Sequence, residues 1–211
     1  MARIVTLTAE NAAAVAGDCA QRLLRGEIIL FPTDTVYGLL LHSTRPADLA
    51  RLNRLKGRAA EKPLAALLTA EPALVEHMQK LLKPLPGAEV ERLVPGPVTL
   101  LAAAETWREL LPGALLELPY DRLGVRVPAH RQLQALLGLC GGWVLATSAN
   151  REGLPTPASA ADCLAQLGCP EEVALVVDGG ECGAEVSAVV EVTVAGLRMR
   201  ILRRHRLLPG E

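Results

Sequence analysis

Aromatic side chains are almost missing: Phe, Tyr and Trp together make up 2% of 211 residues, so Leu, Val and Ala must fill any core. That scarcity argues against a reader of single-stranded nucleic acid that stacks bases on exposed rings. Cysteine pairing is missing as well. Cys19, Cys140, Cys163, Cys169 and Cys182 are odd in number, form no CxxC and have no zinc-site spacing. No signal peptide opens the chain, and no apolar stretch is long enough to span a bilayer. These absences predict a reduced, soluble, cytoplasmic protein without membrane contact. There is also no GxxxxGK(S/T), no GxGxxG after a strand, no HExxH and no GxSxG, so the generic nucleotide, zinc and hydrolase signatures are excluded. The histidines, His42, His77, His130 and His205, are scattered and suggest no metal cluster.

What is present is a strongly apolar, evenly charged chain. Half of it is hydrophobic and 21% is charged, which rules out a disordered or fibrous protein. Residues 1–211 read as a single domain, without internal repeat or linker. The net charge of −1 does not fit a protein that coats nucleic acid. Locally, however, Arg45, Arg51, Arg54, Lys56, Arg58 and Lys62 cluster, and so do Arg198, Arg200, Arg203, Arg204 and Arg206. Either cluster is a solvated face, or together they build a pocket for an anion.

Apolar runs alternate with helical patterns. Helices are predicted over 9–25, with Thr8 as N-cap and Gly26 as stop, and over 46–55, which has Pro46 in its first turn. Further helices are predicted over 72–83, 129–139 and from Thr156 or Ser159 to about 168. Strands are predicted over 28–31, 64–68, 98–102, 124–127, 143–147, 174–177, 187–194 and 199–202. The run Ile28-Ile29-Leu30-Phe31 reads as a strand buried on both faces. The interleaving predicts an α/β fold with a mixed sheet.

Polar residues sit where three of these apolar runs end. The segment Pro32-Thr33-Asp34-Thr35-Val36-Tyr37-Gly38 follows a buried strand, as a ligand loop does in an open α/β sheet; an ordinary Thr/Asp turn is the alternative. In Lys56-Gly57-Arg58, followed by Lys62-Pro63-Leu64, an extended backbone would aim Lys56 and Arg58 at one anion. The alternative is a solvated helix end whose exposed cations hold no core together. In Thr147-Ser148-Ala149-Asn150, Ser148 and Asn150 would share an extended face and offer neutral donors and acceptors, unless they form a cap or turn.

At these residues the chain resembles the YrdC family of threonylcarbamoyl-AMP synthases. Pro32 to Leu39 resembles its opening motif, Lys56-Gly57-Arg58 its KxR and Ser148-Ala149-Asn150 its SxN. Pro95-Gly96-Pro97-Val98-Thr99-Leu100, Arg126-Val127-Pro128-Ala129-His130, Ser187-Ala188-Val189-Val190-Glu191 and Ile201-Leu202-Arg203 follow in the family's order. Ala59, Ala188, Glu191 and Arg204-His205 depart from the usual residues.

The resemblance implies a twisted open sheet flanked by helices around a concave, positively charged cavity. It implies synthesis of threonylcarbamoyl-AMP and pyrophosphate from L-threonine, bicarbonate and ATP. Mg²⁺ is expected with ATP, with no tightly bound cofactor and no protein metal ligand. By the resemblance, Lys56 and Arg58 are catalytic and bind ATP together with Ser148, Asn150, Ser187 and Arg203. Thr33, Thr35, Lys62 and Arg126 bind threonine. A TsaD-type transferase downstream and weak RNA binding are the implied partners. The rival readings are a paralogue that binds nucleotide or double-stranded RNA without this activity, and a relative of the carbamoyl-transfer domain of hydrogenase maturation.

Overall fold

The computed structural model describes residues 2–59, 63–85, 89–168, 170–183, 185–193 and 198–208. Its strands are β1 (Arg3–Thr6), β2 (Ile28–Phe31), β3 (Gly38–Leu41), β4 (Ala65–Leu68), β5 (Val98–Ala103), β6 (Arg122–Arg126), β7 (Trp143–Ser148), β8 (Val173–Asp178), β9 (Ala188–Thr193) and β10 (Arg198–Arg203). The helices are α1 (Ala12–Leu24), α2 (Pro46–Leu55), α3 (Pro72–Leu82), α4 (Val90–Leu93), α5 (Gly113–Leu116), α6 (Arg131–Leu139) and α7 (Ala160–Gln166), with a 3₁₀ turn at Ala104–Trp107. Among the described residues no helix is long and apolar enough to cross a membrane.

All of these strands join one sheet in the order β1-β8-β2-β3-β7-β4-β6-β5-β9-β10. The pairs β1–β8, β8–β2, β4–β6 and β5–β9 are parallel and the others antiparallel, so the sheet is mixed as predicted. Ile29 and Phe31 pack with α1 and α6 on one face. Ile28 and Leu30 join the larger core, which includes Leu49 and Leu52 of α2, on the other. A strand between two helical layers has no polar side to show, hence the unbroken apolar run.

Local chemistry explains several helix ends. Gly26, with φ +76°, ends α1: its N–H donates to the Leu23 carbonyl at 2.8 Å and Glu27 N–H to the Arg22 carbonyl at 3.0 Å. Ser159, not Thr156, caps α7 by accepting from Asp162 N–H at 3.1 Å. The start of α1 departs from expectation. Thr8 N–H donates to Asn11 Oδ1 at 2.8 Å and Asn11 N–H to Thr8 Oγ1 at 3.3 Å, a closed turn that delays the helix to Ala12. The sequence reading also missed β1 and β3. The first is a short exposed edge, and the second begins inside the segment taken as a ligand loop.

The topology positions a cavity. Helices α1 and α6 cover the sheet face over β8, β2, β3 and part of β7. Beyond them the same face, over β4, β6, β5 and β9, forms the floor of a cavity of about 480 Å³.

Candidate active site

The floor is set by register. Ala65 stands opposite both Ala146 and Gly124, and Gly124 opposite Leu101, so one row of side chains crosses β7, β4, β6 and β5. Three of the four are Ala or Gly, which leaves a depression where larger residues would fill the space. A Cβ on Gly124 would come to 3.2 Å from the Thr99 methyl, so a larger residue there would have to push Thr99 aside by a few tenths of an ångström.

Lys56 and Arg58 reach the cavity from the end of α2. The predicted extended segment is corrected here. Gly57 has φ +65°, its N–H donates to the Arg54 carbonyl at 2.9 Å, and Arg58 N–H donates to the Asn53 carbonyl at 3.1 Å. This is a helix-terminating reversal that needs a left-handed residue, which glycine supplies without steric cost. Lys56 is not exposed either: it is 2% accessible. Its Nζ donates to Asn150 Oδ1 at 2.9 Å, to Ser148 Oγ at 3.2 Å and to the Ser148 carbonyl. Ser148 ends β7 and Asn150 lies in the tight turn after it, so they do not share an extended face: Asn150 N–H donates back to the Ser148 carbonyl at 3.0 Å. Their side chains meet at 2.5 Å, with the Ser148 hydroxyl donating to Asn150 Oδ1.

Arg58 donates from Nε to Asn53 Oδ1 at 2.5 Å, and from its two terminal nitrogens to Thr147 Oγ1 and the Pro63 carbonyl, each at 3.3 Å. Burial lowers its pKa, against the opposing pull of Glu152 and Tyr120.

On the opposite wall the Thr33 hydroxyl donates to the Val36 carbonyl at 2.7 Å, accepts from Thr35 N–H at 3.1 Å and lies 3.0 Å from the Thr35 hydroxyl. Arg126 is 6% exposed and tied on three sides. It donates to Asp34 Oδ1 at 2.7 Å, to Thr35 Oγ1 at 3.0 Å and to the Gly96 carbonyl at 3.1 Å. Asp34 also accepts from Ala129 N–H at 3.1 Å. Burial pushes the Arg126 pKa down, against the attraction of Asp34. The guanidinium therefore already holds a resident carboxylate, which the reading of Arg126 as a substrate-carboxylate site did not anticipate.

Arg203 arrives through an irregularity. In a regular antiparallel ladder Leu202 would stand opposite Val189, because Ile201 pairs with Val190; instead Arg203 takes that place across a register shift. The shift turns Arg203 to the cavity face, where it donates to the Ser187 carbonyl at 2.6 Å and to Ser187 Oγ at 3.1 Å. Ser187 Oγ lies 3.0 Å from Thr99 Oγ1. Loss of water around its head and, second, the like charge of Arg126 lower the Arg203 pKa. The strand holding it runs to Arg203 itself rather than ending at Leu202.

Thr33, Thr35, Lys56, Arg58, Arg126, Ser148, Asn150, Ser187 and Arg203 thus line one cavity. Lys62 lies outside the described residues. The departures from the family pattern at Ala59, Ala188, Glu191 and His205 are not among the lining residues. Ala188 faces the core on the other side of the sheet, and Glu191 pairs with Arg122. Sequence reasoning missed Thr99, Thr147 and Glu152 of the lining, as well as Asp34 and Asn53 behind it. Asp34, Thr99 and Thr147 stand inside the segments singled out above without having been given a role, and Asn53 left its own signal, as an amide on the apolar stripe of α2.

The Sua5/YciO/YrdC family model, described as telomere recombination, matches residues 21–205. A threonylcarbamoyl-AMP synthase of Pyrococcus abyssi is 34% identical over 177 residues, 80% of this chain and 48% of that relative. One of Thiobacillus denitrificans is 36% identical over 159 residues, 74% of this chain and 79% of its own length. The chain thus spans about half the length of the first relative. The crystal structure of P. abyssi Sua5 complexed with L-threonine superposes with a TM-score of 0.67 at 27% identity, over 96% of this chain and 57% of that one.

Proposed function

The chain belongs to the Sua5/YciO/YrdC family, and on that premise we propose that it is a threonylcarbamoyl-AMP synthase, a nucleotidyltransferase joining L-threonine, bicarbonate and ATP. The observation that carries this reading is the convergence, in one cavity, of the KxR and SxN residues with Thr33, Thr35, Ser187 and Arg203. The relatives' names and the L-threonine in the Sua5 crystal structure support the same reading.

The chemistry suits the side chains. The threonine amine adds to carbon dioxide with loss of a proton, or condenses with bicarbonate with loss of water, and either route gives the carbamate. A carbamate oxygen then attacks the ATP α-phosphorus, the bond to the β-phosphate oxygen breaks, and pyrophosphate leaves. Threonine carboxylate, carbamate and triphosphate repel one another, so fixed cations must lead by positioning and charge stabilisation. Lys56 and Arg58 take that role beside the reacting phosphate. Ser148, Asn150, Ser187 and Arg203 bind phosphate oxygens. Thr33 and Thr35 line the amino-acid side, with Lys62 assigned there by resemblance. Arg126 uses three of its five N–H groups within the protein and offers the remaining two to threonine.

Among the described residues no three His, Cys, Asp or Glu side chains could hold a metal ion together. The donor set fits Mg²⁺ carried in on ATP, held by phosphate and water, with Glu152 as the cavity's one carboxylate among the described residues. Bound there, the ion would neutralise phosphate charge. The continuous sheet supports residues 1–211 acting as one domain. We assign the reaction to the cytoplasm, with a TsaD-type transferase as consumer of the product.

Mass spectrometry of the products of ATP, threonine and labelled bicarbonate tests the reading. Labelled threonylcarbamoyl-AMP is expected; nucleotide binding without it would return the chain to the non-synthase paralogue. In the same assay valine should be turned over as much as ~10⁴-fold less efficiently than threonine, because a site built for a hydroxyl is left with an unpaired polar group. Serine, lacking one methyl, should lose only roughly 10–200-fold. Valine matching serine would contradict a polar threonine site.

A calorimetric comparison separates Arg203 from its neighbours. Arg203→Ala should weaken binding of a non-hydrolysable ATP analogue by ~1.5–3 kcal/mol, the scale of a hydrogen bond to a charged group. Arg206 is 82% exposed and lies 3.7 Å from Glu185, so Arg206→Ala should cost only ~0–1 kcal/mol. Equal small losses would return Arg203 to the solvated tail.

A further inference from the structure

We propose that Asn53 is a positioning residue that aims Arg58 into the cavity, an inference that rests on the synthase reading. Helix α2 buries Asp48, which Ser43 and Arg45 hold, and also Leu49, Leu52 and Asn53, whose spacing of i, i+3 and i+4 calls for a hydrophobic residue at each place. Asn53 is nonetheless 0% exposed. A buried amide is costly unless bonded, so its presence in an apolar stripe points to the bonds it makes.

Three of its bonds converge on the KxR segment. Asn53 Oδ1 accepts from Arg58 Nε at 2.5 Å, while the Asn53 carbonyl accepts from Arg58 N–H and from Lys56 N–H, each at 3.1 Å. One residue thus grips Arg58 by backbone and side chain together. The carbonyl fixes where the chain leaves the helix, and the amide oxygen fixes how the guanidinium is turned. Taking Nε as the handle matters chemically. It leaves the two terminal nitrogens, which reach Thr147 Oγ1 and the Pro63 carbonyl, on the cavity side of the guanidinium. A hydrophobic residue at 53 would keep the helix packed and release the handle. Asn53 is not among the lining residues, and its side chain reaches the cavity through the bond to Arg58.

Three measurements on the full chain test this. In ¹H–¹⁵N spectra the Arg58 Nε–H should exchange slowly in the wild-type protein and in Asn53→Asp, which keeps an acceptor oxygen, and quickly in Asn53→Leu. Asn53→Leu should lower kcat for threonylcarbamoyl-AMP by ~10–100-fold, the scale of a misaimed catalytic group, with the threonine KM within about threefold. In an Arg58→Ala background the same substitution should change the rate by less than about twofold, because the partner through which Asn53 acts is gone. A merely structural residue would give losses that multiply, and that result, or an Asn53→Leu rate equal to wild type, overturns the proposal. If Asn53→Leu fails to fold, Asn53→Asp decides: a fast-exchanging Nε–H in a protein with unchanged melting overturns it. A wild-type chain that makes no product refutes the synthase reading, and the Nε–H signal still decides whether Asn53 holds Arg58.

Discussion

Lys56→Ala is expected to lower threonylcarbamoyl-AMP formation at least ~100-fold, the scale for losing one preorganised charge-stabilising donor in a water-poor site. The same substitution should also destabilise the fold, contrary to what an exposed cation would do. Lys56 is 2% exposed and donates to both oxygens of Ser148 and to Asn150 Oδ1. Truncation removes three charge-assisted hydrogen bonds, at a cost of about 1.5–3 kcal/mol, although Asn150 Oδ1 keeps the Ser148 hydroxyl and the Ser148 carbonyl keeps Asn150 N–H. Lys56→Met separates the two effects: it refills the stem's volume but restores neither charge nor donor, so melting should recover in part while activity stays lost. Product formation near the wild-type rate in either variant would remove Lys56 from the reaction.

Asp34→Ala is expected to have the largest effect on stability. It leaves the Arg126 guanidinium, buried at the back of the cavity, without the carboxylate 2.7 Å away. Breaking one side of a buried pair costs about 3–5 kcal/mol, because the remaining charge is uncompensated. For a chain of this size that corresponds to a fall in Tm of roughly 6–20 °C. Replacing both partners, as in Asp34→Leu with Arg126→Leu, should recover much of the melting temperature without recovering activity, since no lone charge remains. Thermal unfolding of the single and double variants checks this. A single variant that melts within about 2 °C of wild type would mean that water reaches the pair and screens it.

Much of this molecule was legible in the chain itself, and the rest was not, for one physical reason. Local periodicity is a property of neighbouring residues, so Ile28–Phe31 announced a strand buried on both faces and Gly26 announced the end of α1. The order of the motifs also pointed to one site, and to the residue types able to serve an anionic reaction. Contacts between distant residues depend on strand order and register, which no local pattern encodes. The bond from Lys56 to Asn150 spans 94 residues and exists because β7 delivers its turn to the end of α2. Arg203 faces the cavity only through a register shift beside Leu202, which simple alternation would have placed there instead. Arg126 looked in the sequence like a cation open to substrate, and folding gave it Asp34, because a buried guanidinium must find an anion close at hand. The chain by itself determined most of the elements, though not β1 or β3, and which residue types the site can use. Only the packed sheet decided which cations are buried, what each one holds, and which remain available to a ligand.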